Sequence, residues 1–400
     1  MIAHFEKSVL SGNIKAPPSK SVAHRYLISA FLSDGECSVE NISLSEDIKA
    51  TISCLKSLGA NITVHDGTAV VGKGELKNSV LDCNESGSTL RFLIPIALTM
   101  NREFVFKGSK KLFERPLGIY EDICRENGFL FEKSYGELKV KGRLKSGEYE
   151  IRGDISSQFI TGLIFALSVT EGDSVIKIIP PFESKSYVLV TLECLKKFGV
   201  DIELDGLNVI VKGGQKYSAR SITVEGDYSN AAYIDAFNES GSDIKTEGLS
   251  DSVQGDRVYK EYFKKLDKFC TLDITDCPDL GPILFTVAAL KQGAVFTGTR
   301  RLVIKESDRC GAMSEELAKF GICTEISDNE FTVKKSEIKM PSEILSSHND
   351  HRILMALSVL LCLTGGDISG AEAVNKSFPE YFDKIKSLGA SVKMEEEYDS

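Results

Sequence analysis

The segment Arg300 to Arg309 reads Arg-Arg-Leu-Val-Ile-Lys-Glu-Ser-Asp-Arg and sets four cations beside two carboxylates. It follows a strand-like run, Ala294 to Thr297, and precedes a helix-like run. Cys310, Met313, Leu317 and Phe320 give that helix an apolar stripe at helical spacing. Ser307 is the expected N-cap, which crowds Lys305, Glu306 and Arg309 around the helix start. A helix N-terminus is already electropositive, so cations there are unfavourable unless an anion joins them. Glu306, a carboxyl among cations, then has the setting of a proton carrier. The plain alternative is a solvated charged turn.

Six other helix starts follow, most with similar chemistry. Pro17-Pro-Ser-Lys20-Ser21-Val-Ala-His-Arg25 stops a strand at two prolines, offers Ser19 as a cap and again puts Lys20 and Arg25 at the electropositive end. Ser86-Gly87-Ser88-Thr89-Leu-Arg91 lets backbone N–H groups approach an anion, with a cation one turn in. Ser156-Ser157-Gln158 supplies two hydroxyls and an amide, suited to capping and equally to a phosphate or a sugar-like ligand. Gly226-Asp227-Tyr-Ser229-Asn230 reads as capping alone. Pro278-Asp279 reads as an N-cap by default, or as a second carboxylate to divide acid and base work with Glu306. His348-Asn-Asp350-His351-Arg352 adds a cation; the two histidines lack the further ligands a metal site needs. Arg115 and Lys376 stand out in loops.

These starts are periodic. A helix ending, Gly, then a strand recurs at Gly59, Gly128, Gly199, Gly321 and Gly389, with a weaker copy at Lys268. The steps are 69, 71, 69, 53 and 68 residues. Helix starts near Lys20, Gly87, Ser157, Ser229, Leu280 and His351 each precede an ending by 38 to 42 residues. Alternating runs such as Asn61-Ile-Thr-Val, Glu137-Leu-Lys-Val and Leu207-Asn-Val-Ile-Val supply strands. Six small α/β units, three to a domain, follow from this period, the fourth shorter by about one hairpin. Their first helices are expected to point N-termini into one cleft.

Composition limits the alternatives. With 400 residues, 42% of them hydrophobic, the chain can build two ordinary cores. A net charge of −10 without a basic run argues against nucleic acid. No apolar run is long enough to span a membrane, and Met-Ile-Ala-His-Phe-Glu-Lys lacks a signal-peptide pattern. Ten scattered cysteines without C-x-x-C fit a reduced cytoplasmic protein. The residues together imply small ligands bearing phosphate and carboxylate groups, proton transfer, and neither metal nor cofactor. No Ser–His or Cys nucleophile stands out.

In order along the chain, Pro-Ser-Lys-Ser at 18–21 with Arg25, Ser-Gly-Ser-Thr-Leu-Arg at 86–91, Glu-Arg-Pro at 114–116, Ser-Ser-Gln-Phe at 156–159 and Ser-Lys-Ser-Tyr at 184–187 resemble the 5-enolpyruvylshikimate-3-phosphate synthase family of enolpyruvyl transferases. Pro-Asp at 278–279, Lys-Glu-Ser-Asp-Arg at 305–309, Asn-Asp-His-Arg at 349–352 and Lys-Ser-Phe-Pro at 376–379 extend that resemblance over the whole length. It implies an α/β inside-out barrel of two domains, each of three βαβαββ-type units. Residues 19–224 would bind mainly shikimate 3-phosphate. Residues 1–18 plus 225–400 would contribute phosphoenolpyruvate-binding and catalytic groups. The implied reaction moves the enolpyruvyl group of phosphoenolpyruvate to the 5-hydroxyl of shikimate 3-phosphate, in a cytoplasmic monomer of the shikimate pathway that closes on its ligands.

By the same resemblance, Lys20, Ser21, Arg25, Ser156, Ser157, Gln158, Ser184, Asp279 and Lys305 would hold shikimate 3-phosphate. Lys20, Gly87, Arg91, Arg115, Gln158, Arg309, Arg352 and Lys376 would hold phosphoenolpyruvate. Asp279 would take the hydroxyl proton, and Glu306, assisted by Lys20, would handle the proton at the vinyl carbon. Glu85 and Ser88 stand where the family commonly has Asn and Thr. The related transferase that acts on a UDP-amino sugar has Lys-Asn in place of Lys20-Ser21 and a reactive Cys near Arg115, neither of which is present. A catalytically silent anion-binding protein would be expected to lack Lys20, Asp279 or Glu306.

Overall fold

The computed structural model describes residues 1–396. The chain divides into two compact units, Pro18–Glu225 and Met1–Pro17 with Gly226–Ser400. In the first, the helices are α1 (Lys20–Leu32), α2 (Glu46–Ser57), α3 (Gly87–Thr99), α4 (Lys110–Glu114), α5 (Gly118–Glu126), α6 (Ser157–Val169) and α7 (Lys185–Lys197). In the second they are α8 (Tyr228–Asp235), α9 (Tyr259–Lys265), α10 (Gly281–Leu290), α11 (Arg309–Lys319), α12 (His351–Thr364) and α13 (Tyr381–Ser387). The expected period is met: α1, α3, α6, α8, α10 and α12 begin within a residue or so of the positions read from the sequence.

One sheet pattern recurs five times. In the unit around α3, strands Val80–Asp82 and Phe104–Lys107 are parallel and joined through the helix. The second pairs antiparallel with Glu137–Lys141, which pairs antiparallel with Leu130–Ser134. That is the strand order of a βαβαββ unit. The sixth unit borrows Ile2–Phe5 from the start of the chain to complete its sheet. The fourth unit, short in sequence, has only a two-stranded parallel sheet, Asp243–Glu247 with Ser11–Lys15.

Two kinds of helix explain the inside-out layout. In α6 and α10 nearly every residue is buried, as expected of helices apolar all round. α12 is alike: Leu363 is its one exposed residue. The second helices, such as α5 and α11, keep an exposed polar side and lie over the sheets. The endings are capped as the spacing predicts, with Gly59, Gly128, Gly199, Gly321 and Gly389 all at positive φ. No helix among the described residues is long and apolar enough to cross a membrane.

The contact between α3 and α6 shows how a buried helix is tuned. Pro95 lies inside α3 and cannot donate to the Arg91 carbonyl, a substitution that costs about 3 kcal/mol in an ordinary helix. The Tyr120 hydroxyl donates to that carbonyl instead, at 2.7 Å. Gly162 makes room: a Cβ there would lie 2.4 Å from both the Arg91 oxygen and the Tyr120 hydroxyl. This fixes the backbone that carries the Arg91 side chain.

Candidate active site

In the 18–225 unit, the first turns of the helices are tied by buried hydroxyls. His24 Nδ1 lies 2.7 Å from Thr51 Oγ1, which lies 2.7 Å from Thr89 Oγ1, which donates to Ser86 Oγ at 2.7 Å. The chain of bonds joins α1, α2 and the cap of α3. Burial, reinforced by Lys20 and Arg25, holds the His24 imidazole well below its ordinary pKa, so it stays neutral.

Around this frame stand the expected binding residues. Lys20 Nζ donates to Asp47 Oδ2 at 2.8 Å. Arg91 donates to Gln158 Oε1 at 2.7 Å and to the Pro116 carbonyl at 2.9 Å, with its guanidinium 5.0 Å over the Phe159 ring. Gln158 Nε2 donates to Ser88 Oγ at 2.9 Å. Gly87 is bare because Arg115 covers it: a Cβ would sit 2.5 Å from Arg115 Nη1. The N-terminal turns of α3 and α6 thus share one hydrogen-bonded group of Ser88, Arg91 and Gln158.

Three capping expectations are corrected here, while Asp227, which accepts from the Asn230 N–H at 2.8 Å, and Ser156 cap as expected. Ser19 occupies the N-cap position of α1, but its hydroxyl makes no capping bond and is buried without a protein partner. Ser156 caps α6 through the Gln158 N–H at 3.3 Å, as read. The cap of α11 is Asp308, whose carboxylate accepts from the Gly311 N–H at 3.1 Å. Ser307 instead donates to Asp350 Oδ2 at 3.0 Å. Asp279 lies inside the short turn Pro278–Leu280 and is not the cap of α10; its carboxylate is taken by cations.

Arg25 is fully built in. Its Nε donates to Thr191 Oγ1 at 2.8 Å, and its two terminal nitrogens donate to the Ser21 and Tyr187 carbonyls at 2.7 and 3.0 Å. Burial pushes its pKa down to about 10, which still leaves it charged. Ser184, at the start of α7, is left-handed with φ 56°. Arg25 therefore steadies α7 near Ser184 while leaving further N–H groups on its terminal nitrogens.

In the other unit, Arg309 is the hub. It is 2% exposed and spans three carboxylates. One terminal nitrogen donates to Asp279 Oδ1 at 2.9 Å, the other to Glu306 Oε2 at 3.0 Å, and Nε donates to Asp350 Oδ2 at 2.9 Å. Lys305 adds a bond to Asp279 at 3.3 Å, and an Arg352 nitrogen lies 3.8 Å from its other oxygen. Arg352 also donates to Asn230 Oδ1 at 3.0 Å and lies over the Tyr233 ring. Glu306 is 3.4 Å from His351 Nδ1. Lys376 donates to the Asn349 carbonyl at 2.7 Å. The cations here are thus balanced by carboxylates, the two read from the sequence and a third, Asp350. Asp350, His351 and Asn230 were not singled out as site residues; the Asn-Asp-His-Arg run and the fourth helix start were their signal.

Glu306, Asp350 and His351 each bring one ligand atom within 4.8 Å of the others. Arg309 bonds both carboxylates and supplies the charge a metal ion would bring there.

The electrostatics follow from this packing. Burial raises the pKa of Asp279, and Lys305, Arg309 and Arg352 outweigh it, holding the carboxyl well below its ordinary range. Asp350 is likewise lowered: burial opposes, and Arg309 prevails. Depressed carboxyl values stabilise the fold above the unfolded pKa of about 4 and lose that contribution as pH falls through the folded values. The carboxylate contribution to thermal melts should therefore be flat above about pH 5 and fall steeply below about pH 4. Asp350→Asn should shrink that acid limb; an unchanged limb would place its origin elsewhere.

The family model described as EPSP synthase (3-phosphoshikimate 1-carboxyvinyltransferase) matches residues 6–271 and 234–385. Among curated relatives, a 3-phosphoshikimate 1-carboxyvinyltransferase of Clostridium novyi (strain NT) is 40% identical, covering 96% of this chain and 97% of its own. One from Clostridium acetobutylicum is 42% identical, covering 96% of each. Among solved structures, EPSP synthase from Acinetobacter baumannii superposes with a TM-score of 0.80 at 22% identity, over 98% of this chain and 99% of that one. The enolpyruvyl transferase NikO from Streptomyces tendae gives 0.78 at 13% identity, over 98% of both. These two likenesses show the shared two-domain α/β architecture, and the sequence matches establish that the chain belongs to the EPSP synthase family.

Proposed function

We infer that this enzyme transfers the enolpyruvyl group of phosphoenolpyruvate to the 5-hydroxyl of shikimate 3-phosphate and releases phosphate. The observation that carries the reading is the set of curated relatives, matched end to end at about 40% identity and named for that reaction. The geometry adds a chemical reason. Asp279 and Glu306 sit on opposite nitrogens of one guanidinium, ready to divide two proton transfers.

In the proposed sequence, Glu306 protonates the terminal vinyl carbon of phosphoenolpyruvate, and the substrate hydroxyl adds to the adjacent carbon while Asp279 takes its proton. Phosphate then leaves and Glu306, deprotonated in the first step, takes a proton back from the new methyl group, restoring the double bond. Asp279 starts ionised, the form a base needs, but its basicity is held down by three cations. Ligand anions that draw on Lys305, Arg309 and Arg352 would release it. Lys20, Ser21, Arg25, Ser156, Ser157, Gln158, Ser184, Asp279 and Lys305 are assigned to shikimate 3-phosphate. Lys20, Gly87, Arg91, Arg115, Gln158, Arg309, Arg352 and Lys376 are assigned to phosphoenolpyruvate. The enzyme is proposed to act as a cytoplasmic monomer, which gel filtration and fractionation would check.

The test is phosphate release by the purified enzyme with phosphoenolpyruvate and shikimate 3-phosphate, beside a UDP-N-acetylglucosamine control. Release with shikimate 3-phosphate alone is expected; release with the sugar nucleotide, or with neither, would overturn the assignment. Arg25→Ala is expected to weaken shikimate 3-phosphate binding by about tenfold or more, the scale of a lost charged hydrogen bond. Equal affinity in a calorimetric titration would refute that placement.

A further inference from the structure

The loop before α12 holds two consecutive left-handed residues, His348 at φ 50° and Asn349 at φ 53°. Such a conformation is uncommon outside glycine and persists only where neighbours impose it. Here the imposing group is Glu316 on α11, a carboxylate with no solvent exposure. His348 Nε2 lies 2.9 Å from Glu316 Oε1, and the Ser346 N–H donates to Oε2 at 3.0 Å. Lys319 Nζ lies 3.0 Å from both oxygens. The backbone is pinned further by Ser346 Oγ, which accepts from the His348 N–H, and Ser347 Oγ, which accepts from the Asn349 N–H.

What this loop presents is already familiar. The Asn349 carbonyl receives Lys376, and Asp350 grips Arg309 and caps α12 at the Arg352 N–H. Arg309 and Glu316 are about two turns apart on α11. The same helix therefore holds the loop at both ends, through Arg309 to Asp350 and through Glu316 to His348. Glu315, Glu316 and His348 could geometrically surround a cation, but the Lys319 ammonium already bonds both Glu316 oxygens.

We propose that the His348–Glu316 pair is a latch that positions the Asn349 carbonyl and the Asp350 carboxylate, and through them Lys376, Arg309 and Arg352, for phosphoenolpyruvate. This rests on the assignment of those three cations to phosphoenolpyruvate. His348 is a positioning residue and touches no substrate. The groups facing it are Glu316, Glu315 and Lys319 of α11, with Lys376 bound one residue on. The Glu316 hydrogen bond raises its pKa above the ordinary imidazole value, burial opposes, and the Glu316 and Glu315 charges add to the rise while Lys319 opposes it. The latch is therefore charge-assisted below that raised value and weakens as pH climbs through it.

The experiment is steady-state kinetics with both substrates on the wild-type enzyme, His348→Ala and His348→Gln, from about pH 5.5 to pH 9, spanning the imidazole range. His348→Ala should raise the KM for phosphoenolpyruvate about tenfold, the scale of a lost hydrogen bond to a charged group. Its kcat and its KM for shikimate 3-phosphate should stay within about twofold, since His348 bonds neither Asp279 nor Glu306 and Arg309 keeps its own bonds to both. His348→Gln, which keeps a neutral donor, should recover most of that loss at neutral pH. It should also lack the wild-type rise of this KM on the alkaline side. Should His348→Ala fail to fold, the pH profile of His348→Gln decides alone, and one matching the wild type overturns the latch. Normal wild-type turnover with His348→Ala indistinguishable from it, or with both KM values raised equally, overturns the latch alone. Absent wild-type turnover would overturn the functional reading and with it the latch's role.

Discussion

Glu306→Gln is expected to lower kcat at least about a hundredfold, the usual scale for a lost general acid, while shikimate 3-phosphate binds near normally. The substitution keeps the size of the side chain and an oxygen that can accept from Arg309. What it removes is the exchangeable proton. Glu306 is suited to carry that proton because it is only partly covered, with 20% of its side chain exposed, and His351 stands at 3.4 Å as a second partner. The paired readouts are single-turnover phosphate release and a calorimetric titration with shikimate 3-phosphate. A thermal melt within a few degrees of the wild type keeps the comparison chemical, since a shift of that size is about 1 kcal/mol. Undiminished turnover would end the proton assignment for Glu306 and leave Asp279 and His351 to be tested in its place.

The repeat was legible because it is written in backbone chemistry. A glycine at positive φ after each helix is needed whatever packs around it, so Gly59, Gly128, Gly199, Gly321 and Gly389 mark the period directly. The short fourth unit was legible as a missing hairpin for the same reason. That the start of the chain joins these units was legible only through the resemblance, which put residues 1–18 with 225–400. Ile2–Phe5 and Ser11–Lys15 join sheets more than 200 residues away, and strand pairing at that separation leaves no local trace.

The site was legible as a list of charges and less so as a network. Helix starts reveal which residues stand near one another only within a turn. Arg309 beside Glu306 follows from spacing of three, whereas Arg309 on Asp350 and Asp279 does not. Ser307 shows the difference: by local rules it is a cap, yet Asp350, more than 40 residues on, takes its hydroxyl and leaves capping to Asp308. The silent partners, Asp47 for Lys20 and Asn230 for Arg352, have ordinary local signals and acquire meaning only through tertiary contact.

Arg309→Met is expected to destabilise its unit by about 3–5 kcal/mol, because it leaves buried carboxylates without their shared cation. Asp279, Glu306 and Asp350 all bond this one guanidinium, and Asp350 has no solvent exposure of its own. Methionine fills a similar volume, so the packing loss is small beside the electrostatic one. The melting temperature should drop by about 10 °C at neutral pH. The pH dependence separates charge from packing. Without Arg309 the carboxyl pKa values rise, so protonation relieves the variant as pH falls, while the wild type loses stability over the same range. The gap between the two melts should therefore narrow steadily toward about pH 4, near the ordinary carboxylate value. Adding Asp350→Asn to Arg309→Met should recover part of the loss, since one of the stranded charges is removed. A gap that stays constant with pH, together with no recovery in the double variant, would mean that Arg309 acts through its packing and not as the cation on which three acids depend.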